Sequence, residues 1–544
     1  MKNKIIIIAV TLSMVLTVSC MKDLDLIPKD PNTVMSGNVS DNPEYIRQYL
    51  AKIYASFLIS GQDGGSPDIA ASDPNFFTTM RAFWNLQELP TDEAMCAWGD
   101  VGIADLNTQT WSASNPFLTA LYQRLGLSIT FANDFIKMTA GNSDEKIARY
   151  NAEARFLRAL AYYWYLDLFG NPPFTTEKDG VGSFFPRQLD ENFNTGRKML
   201  FNYIASELKA IETLLGDPGF QYPQADKAAA WMLLARLYLN AEVYTGTAKW
   251  DSCIIYTNRV INSGKYSLAS DYRKNFCADN DGPSNSEMIF SWAHDGHNTN
   301  GWVGTTFIIQ SCSDPVYLPS EVFHGLTDNP NWNGNRARIQ FLDIMIDTIA
   351  TYGNNPVPWD DDPFFEASND NRVYLRVKKS PYIPSPGSSG DYGIGVYKFT
   401  AKLSDGTFPA SFNISFANTD FPVFRYADAL LMRAEANFRL NNPDDAVTDI
   451  NLIRERAFGN TSGNITTAEL NEKFLLDERA REFYYEAHRR TDLIRFGQFT
   501  DGSYTWAWKG GVMEGAQTSN YRNVYPIPAE EIAANPYLKQ NPSY

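Results

Sequence analysis

Histidine is scarce in this 544-residue chain, with four in all, and cysteine is nearly as scarce, with five. No two cysteines stand in a Cys-x-x-Cys pair, which removes the usual zinc and dithiol signatures. A Gly-x-Ser-x-Gly turn is also missing, so a hydrolytic triad has no exposed nucleophile to start from. Basic side chains are in deficit, 47 against 63 acidic ones, and the net charge of -16 repels nucleic acid and anionic lipid alike. Beyond the first nineteen residues no segment approaches the twenty or so apolar residues that cross a bilayer. Disorder is not expected either, because 44% hydrophobic residues supply a large core.

The chain opens with Lys2 and Lys4, an apolar run from Ile5 to Val18, then Ser19 and Cys20. That order reads as a secretory leader, residues 1–19, cleaved before a cysteine that takes acyl chains. Ser19 fits the small position of a lipobox, whereas Thr17 stands where Leu is usual and Leu16 sits one earlier. Lipid on Cys20 would then be the sole membrane attachment of an otherwise soluble chain. Cleavage also removes two lysines and leaves the mature chain still more acidic. Cys96, Cys253, Cys277 and Cys312 remain, with three pairings open to them in an oxidising compartment; Cys253 lies in an apolar helical stretch and reads as core.

Helical periodicity dominates residues 42–267 and 421–499, within an N-terminal helical repeat region, 20–271, and a C-terminal one with a closing segment, 421–544. Three segments share one shape: Leu157-Arg158-Ala159 with Tyr162, Leu233-Leu234-Ala235 with Tyr238, and Met432-Arg433-Ala434 with Asn437. Each sets a small Ala where a neighbouring helix can approach, and each ends near a stop: Gly170, Gly246 or Asn441. Asn442-Pro443-Asp444 followed by Ala446, Ile450 and Ile453 reads as a turn and a second helix. The expected fold is mostly α, a tetratricopeptide-like scaffold of helical pairs interrupted by a loop-rich insertion, residues 272–420, containing short strands such as Val373-Tyr374-Leu375 and Val396-Tyr397-Lys398-Phe399. The whole is expected to be one compact two-lobed unit.

Function is expected in the insertion, since loops on a rigid scaffold usually carry it. It holds Trp292, Trp302, Trp332 and Trp359 among turn residues. Sugar rings stack their C–H faces on aromatic side chains and direct hydroxyls to polar ones, so exposed tryptophans beside Asn and Asp make a glycan site. Trp302, after Asn300-Gly301, and Trp332, between Asn331 and Asn333-Gly334-Asn335, are the first candidates. Trp98, Trp292 and Trp359 follow, and Tyr317 and Tyr392 are further additions. Trp164 and Trp231 lie on apolar helix faces and read as core.

Five segments together resemble the SusD/RagB family: Cys20 with Leu24-Asp25-Leu26 and Pro28; Glu88-Leu89-Pro90-Thr91-Asp92-Glu93; Arg155-Phe156-Leu157-Arg158-Ala159 through Phe169-Gly170; Glu478-Arg479-Ala480-Arg481-Glu482-Phe483 through Asp492-Leu493-Ile494-Arg495-Phe496-Gly497; and Tyr525-Pro526-Ile527-Pro528 with Gln540-Asn541-Pro542. The resemblance runs from Cys20 to Tyr544. It implies a surface-exposed, lipid-anchored outer-membrane protein that is not an enzyme. Such a protein captures poly- or oligosaccharide and delivers it as the lid of a SusC-like TonB-dependent β-barrel transporter, and it needs no cofactor. Some relatives are associated with oligopeptides, which leaves a peptide ligand as an alternative. In starch-binding relatives a platform Trp follows the Pro-Thr-Asp-Glu motif. Here it corresponds to Cys96, which leaves Trp98 a structural role and counts against an α-glucan.

Asp92 and Glu93 suggest a surface glycoside hydrolase, yet two carboxylates must face each other across the scissile bond, and adjacent residues point apart. Capping or turn formation suits Asp92 better. His294 and His297 have no third ligand nearby in sequence. Asp279-Asn280-Asp281-Gly282, joined by Asp420, is either a structural calcium turn or a plain Asp-rich turn. The charges of residues 478–495 read as a structural network.

Overall fold

The computed structural model describes residues 42–61, 68–69, 78–179, 184–346 and 368–544. The leader, Cys20 and Trp359 lie outside the described residues. Contacts divide the chain into residues 1–49 and 50–544. Of the first unit, residues 42–49 are described, and all but the first of these fall in the helix Pro43–Ala55.

The second unit is mostly helical. Its principal helices are α1 (Thr79–Glu88), α2 (Pro116–Met138), α3 (Glu145–Phe169), α4 (Phe193–Ile211), α5 (Lys227–Leu239), α6 (Trp250–Asn262), α7 (Gly304–Cys312), α8 (Tyr426–Arg439), α9 (Pro443–Phe458), α10 (Glu472–Phe483) and α11 (Arg489–Arg495). Neighbours in sequence pack as neighbours in space: α2 on α3, α3 on α4, α5 on α6, and α8 on α9. The caps follow from side-chain chemistry. Asp144 accepts from the Lys146 N–H to start α3, and Gly170, at φ 72°, ends it in a conformation that costs glycine nothing. Pro443 opens α9 at its first turn, where no N–H is needed. The shared Ala159, Ala235 and Ala434 are all buried, as close helix approach requires. Ala446, Ile450 and Ile453 of α9 close on Leu430, Leu431 and Ala434 of α8 and on Leu475 and Phe483 of α10.

Short strands tie the insertion down. Met288–Trp292 (β2) pairs antiparallel with Phe421–Arg425 (β6), so the insertion leaves and re-enters the helical body side by side. Met95–Cys96 (β1) pairs with Asn335–Arg336 (β3), which brings the Pro-Thr-Asp-Glu loop to the insertion. Leu375–Val377 (β4) pairs with Ile394–Val396 (β5), each sharing one residue, Leu375 or Val396, with its expected segment.

Between helices and insertion lies the expected charge network. Arg425 reaches Glu287, Glu482 and Glu486; Arg372 reaches Asp370, Glu478 and Glu482; Arg456 adds Glu287 and Glu482. All these side chains are buried. Burial alone would raise the Glu482 carboxyl, but Arg456, Arg425 and Arg372 hold it far below the carboxylate range. Among the described residues no helix is long and apolar enough to cross a membrane.

Candidate functional site

Trp302, Trp332 and Trp98, far apart in sequence, stand side by side. The Trp98 and Trp332 rings are 6.0 Å apart at 57°, and Trp332 and Trp302 are 5.4 Å apart at 58°. Phe416 continues the series, 5.0 Å from Trp302 at 59°. All four side chains are part-exposed. The result is a faceted strip of rings, each tilted on the last by nearly the same angle.

Backbone carbonyls hold two of the rings. The Trp98 Nε1–H donates to the Trp332 carbonyl at 3.1 Å, and the Trp332 Nε1–H donates to the Asn329 carbonyl at 2.8 Å. Trp332 sits in a loop whose Asn329, Asn331 and Asn333 all have positive φ, at 47°, 65° and 49°. Asparagine tolerates that region better than most residues, which explains the Asn-rich spelling of the turn. The loop is pinned to the end of α7: Trp332 N–H to the Gln310 carbonyl at 3.1 Å, Asn333 to Ser313 at 2.8 Å, Gly334 to Ser311 at 2.8 Å. A Cβ on Gly334 would stand 2.7 Å from Trp98 Nε1 and closer still to two ring carbons, so only glycine lets that indole lie flat there. Arg81, on α1, places its guanidinium 5.5 Å from the Trp98 ring and 4.6 Å from that of Phe307, a cationic backing to the strip.

Polar loops flank the rings. Asp295 accepts backbone N–H bonds from His297, Asn298 and Thr299 and a side-chain bond from Asn298; these outweigh partial burial and set its carboxyl at about 2. Asn413 donates to the Gly296 carbonyl at 2.7 Å, joining the loop before Trp302 to the loop that carries Phe416. His297 shares a hydrogen bond with the Ser411 carbonyl at 2.9 Å across the same junction.

Other expected site residues lie elsewhere. Trp292 is corrected from ligand contact to core: it is 1% exposed in β2, stacked on Phe57 at 4.8 Å and 13°, with Trp164 edge-on at 6.3 Å. The apolar run Met288-Ile289-Phe290 just before it was the available signal, outweighed by the polar turn after it. Trp98, the candidate to which the Cys96 correspondence gave a structural role, stands beside Trp332 in the strip. Cys96 is the buried one, in β1 opposite Asn335, with its thiol pushed up to about 11 by burial. Trp164 is core, whereas Trp231 is only half-buried and donates to Glu212 at 3.0 Å. Phe416 escaped sequence reading, because Asn413-Ile414-Ser415-Phe416 carries no more signal than any polar loop.

The Asp-rich turn at Asn280 is held by hydrogen bonds to neighbouring loops. The Asn280 side chain brings that turn to Asp420, donating to its carbonyl at 2.9 Å and accepting its N–H at 3.0 Å. The Asp279 and Asp420 carboxylates turn to different partners, while the charge of Asp281 lies near enough to help raise the Asp420 carboxyl. Asp279 accepts from Ser404 N–H and Oγ–H at 2.8 and 2.6 Å, while Asp420 accepts from the His294 N–H at 2.7 Å and from the Tyr222 hydroxyl. Among the described residues no three His, Cys, Asp or Glu side chains are set to hold a metal ion. Burial lifts the Asp420 carboxyl to about 7. Asp92 and Glu93 are buried as well, Asp92 in a two-pronged pair with Arg489 at 2.8 and 2.7 Å, and the four described cysteines are free and buried.

Comparison with known proteins adds three findings. Residues 264–544 match the SusD family. The chain is 36% identical to a starch-binding protein, SusD, of Bacteroides thetaiotaomicron over 97% of this chain and 96% of that one, and 27% identical to SusD-like protein P25 of Formosa agariphila over 81% and 80%. Among solved structures, surface glycan-binding protein A from Bacteroides thetaiotaomicron in complex with laminarihexaose shares the fold at a TM-score of 0.64, with 19% identity over 92% of this chain and 99% of that one. The protein of the same description from Bacteroides fluxus does so at 0.66, with 21% identity over 92% and 100%.

Proposed function

The chain belongs to the SusD family, and from that premise we propose that it is a non-enzymatic binding protein whose strip Trp98–Trp332–Trp302–Phe416 holds a glycan chain. The observation that carries this reading is the continuity of the strip. Four part-exposed rings in mutual contact offer successive stacking faces, and the flanking Asn, Asp and Ser loops offer hydrogen-bond partners for hydroxyls. The relative at 36% identity is named for starch, and a protein sharing the fold is named in complex with laminarihexaose, so starch-type and laminarin-type chains are the first ligands to try. Cys96 is buried, and Trp98, two residues on, supplies a ring beside Trp332, which supports including an α-glucan among the ligands.

The wider role proposed is that of a surface lipoprotein, acylated at Cys20, that passes its glycan to a SusC-like TonB-dependent barrel in the outer membrane. A hydrolytic role has no support at Asp92 and Glu93, which are buried and committed to Arg489 and the Tyr485 N–H. Retardation of the full-length mature protein in gels containing amylopectin or laminarin, without release of reducing ends, supports the binding reading. Sugar release would replace it with an enzymatic one. Trp302→Ala and Trp332→Ala should each abolish the retardation. Co-purification with a barrel transporter from membranes tests the partner.

A further inference from the structure

Three loops beside the ring strip meet at one buried ammonium. Lys378, just after β4, is 1% exposed and pairs with Asp314 at 3.0 Å. It also donates to Asn333 Oδ1 at 3.0 Å and to the Gly390 carbonyl at 2.9 Å. Each partner belongs to a loop that carries an aromatic ring. Asn333 follows Trp332. Asp314 accepts the N–H groups of Val316 and Tyr317 at 2.9 and 2.6 Å, shaping the Tyr317 turn. Gly390 precedes Asp391 and Tyr392 by one and two residues. A second tie runs beside the first, Asn333 Nδ2–H to Asp391 Oδ1 at 2.8 Å, and Gly390 is packed so tightly on Asn333 that any Cβ would collide with it.

Burying a lysine is costly unless it is paired and fully hydrogen-bonded, and here burial pulls its pKa down while Asp314 opposes the fall. The return is a fixed relation among the three loops. On their outer side Tyr317 and Tyr392 are part-exposed, and the exposed Lys379 sets its ammonium 5.1 Å from the Tyr392 ring centre. Two phenols and an ammonium beside a tryptophan strip combine stacking faces with donors and acceptors, the pairing that sugars need.

We propose that the ligand surface continues from Trp332 past Asn333 onto Tyr317 and Tyr392, with Lys379 donating to sugar hydroxyls, so that the protein binds oligosaccharide chains longer than the ring strip alone covers. Lys378 acts as the positioning residue that keeps the two halves of the surface in register. This rests on the strip being the glycan site.

Calorimetric titration of the full mature chain with maltotriose, maltoheptaose, laminaritriose and laminarihexaose tests it. The parent should prefer the longer member of whichever series it binds. Tyr392→Ala and Tyr317→Ala should bind that longer member about tenfold more weakly and leave the trisaccharide unchanged. Lys378→Met should show the same length-selective loss, a pattern that general loosening of the fold would not produce. Equal loss on both lengths, or no loss, overturns the extension. The underlying reading fails separately, if the parent binds none of the four or if Trp332→Ala binds like the parent.

Discussion

The Trp98 indole donates its Nε1–H to the carbonyl of Trp332 at 3.1 Å, joining residues 234 positions apart into one aromatic surface. The contact depends on Gly334, whose missing side chain is the space the indole occupies. Gly334→Ala should therefore expel Trp98 from the strip. Overpacking of this kind costs about 1–3 kcal/mol of stability. Glycan affinity should fall about tenfold, as with Trp98→Ala, on the scale of one lost ring contact. Isothermal titration of the two variants side by side checks it; an alanine variant that binds like the parent would separate Trp98 from ligand contact.

Trp292 and Trp302 should part company in any alanine scan. Trp292 is enclosed by Phe57, Trp164 and Phe290, so Trp292→Ala should lower stability by about 3–5 kcal/mol. Trp302 is part-exposed, so Trp302→Ala should leave the urea midpoint close to the parent's while weakening glycan binding. A large midpoint shift at Trp302 would place it in the core instead.

Arg489 reaches Asp92 across 397 positions of sequence through two parallel bonds at 2.8 and 2.7 Å. Both side chains are buried, with Glu93 3.8 Å away. Lysine cannot offer the fork, so Arg489→Lys should destabilise the protein, by up to the roughly 3–5 kcal/mol seen when a buried pair is broken. Urea unfolding followed by tryptophan fluorescence measures the loss. An unchanged midpoint would mean that the pair contributes nothing net.

The Asp420 carboxyl gives a pH signature. Burial raises it from 3.8 to about 7 in the folded protein, the Tyr222 and His294 hydrogen bonds notwithstanding. A folded-state value above the unfolded one means the native protein holds this proton more tightly, so the associated stability is complete below about pH 4 and is lost as pH rises through 7. Asp420→Asn removes that dependence. Thermal midpoints from pH 4 to 8 should fall less steeply in Asp420→Asn than in the parent, and parallel curves would show that Asp420 does not titrate there.

Much of the scaffold was legible in the sequence. Ala159, Ala235 and Ala434, the stop at Gly170, and the Pro443 start with Ala446, Ile450 and Ile453 each obey local rules, because a helix is built from residues a few positions apart. The charges of residues 478–495 were legible as a network, although their partners Arg372, Arg425 and Arg456 were not. The tryptophans were harder. Turn residues around Trp302 and Trp332 marked part-exposed positions correctly, but the same kind of turn after Trp292 hid a buried strand.

Composition, periodicity and motif spacing by themselves determined a mostly helical, acidic chain with a loop-rich insertion and family-wide segments. Only the tertiary structure decided that Trp98, Trp332, Trp302 and Phe416 make one surface, that Trp292 does not join it, and that Asp279 and Asp420 turn their carboxylates to different partners. The reason is physical. Helix formation is governed by neighbours along the chain, whereas ring contacts and carboxylate directions depend on pairings such as Cys96 with Asn335 and Trp292 with Phe421, which close loops of more than a hundred residues and leave no local trace.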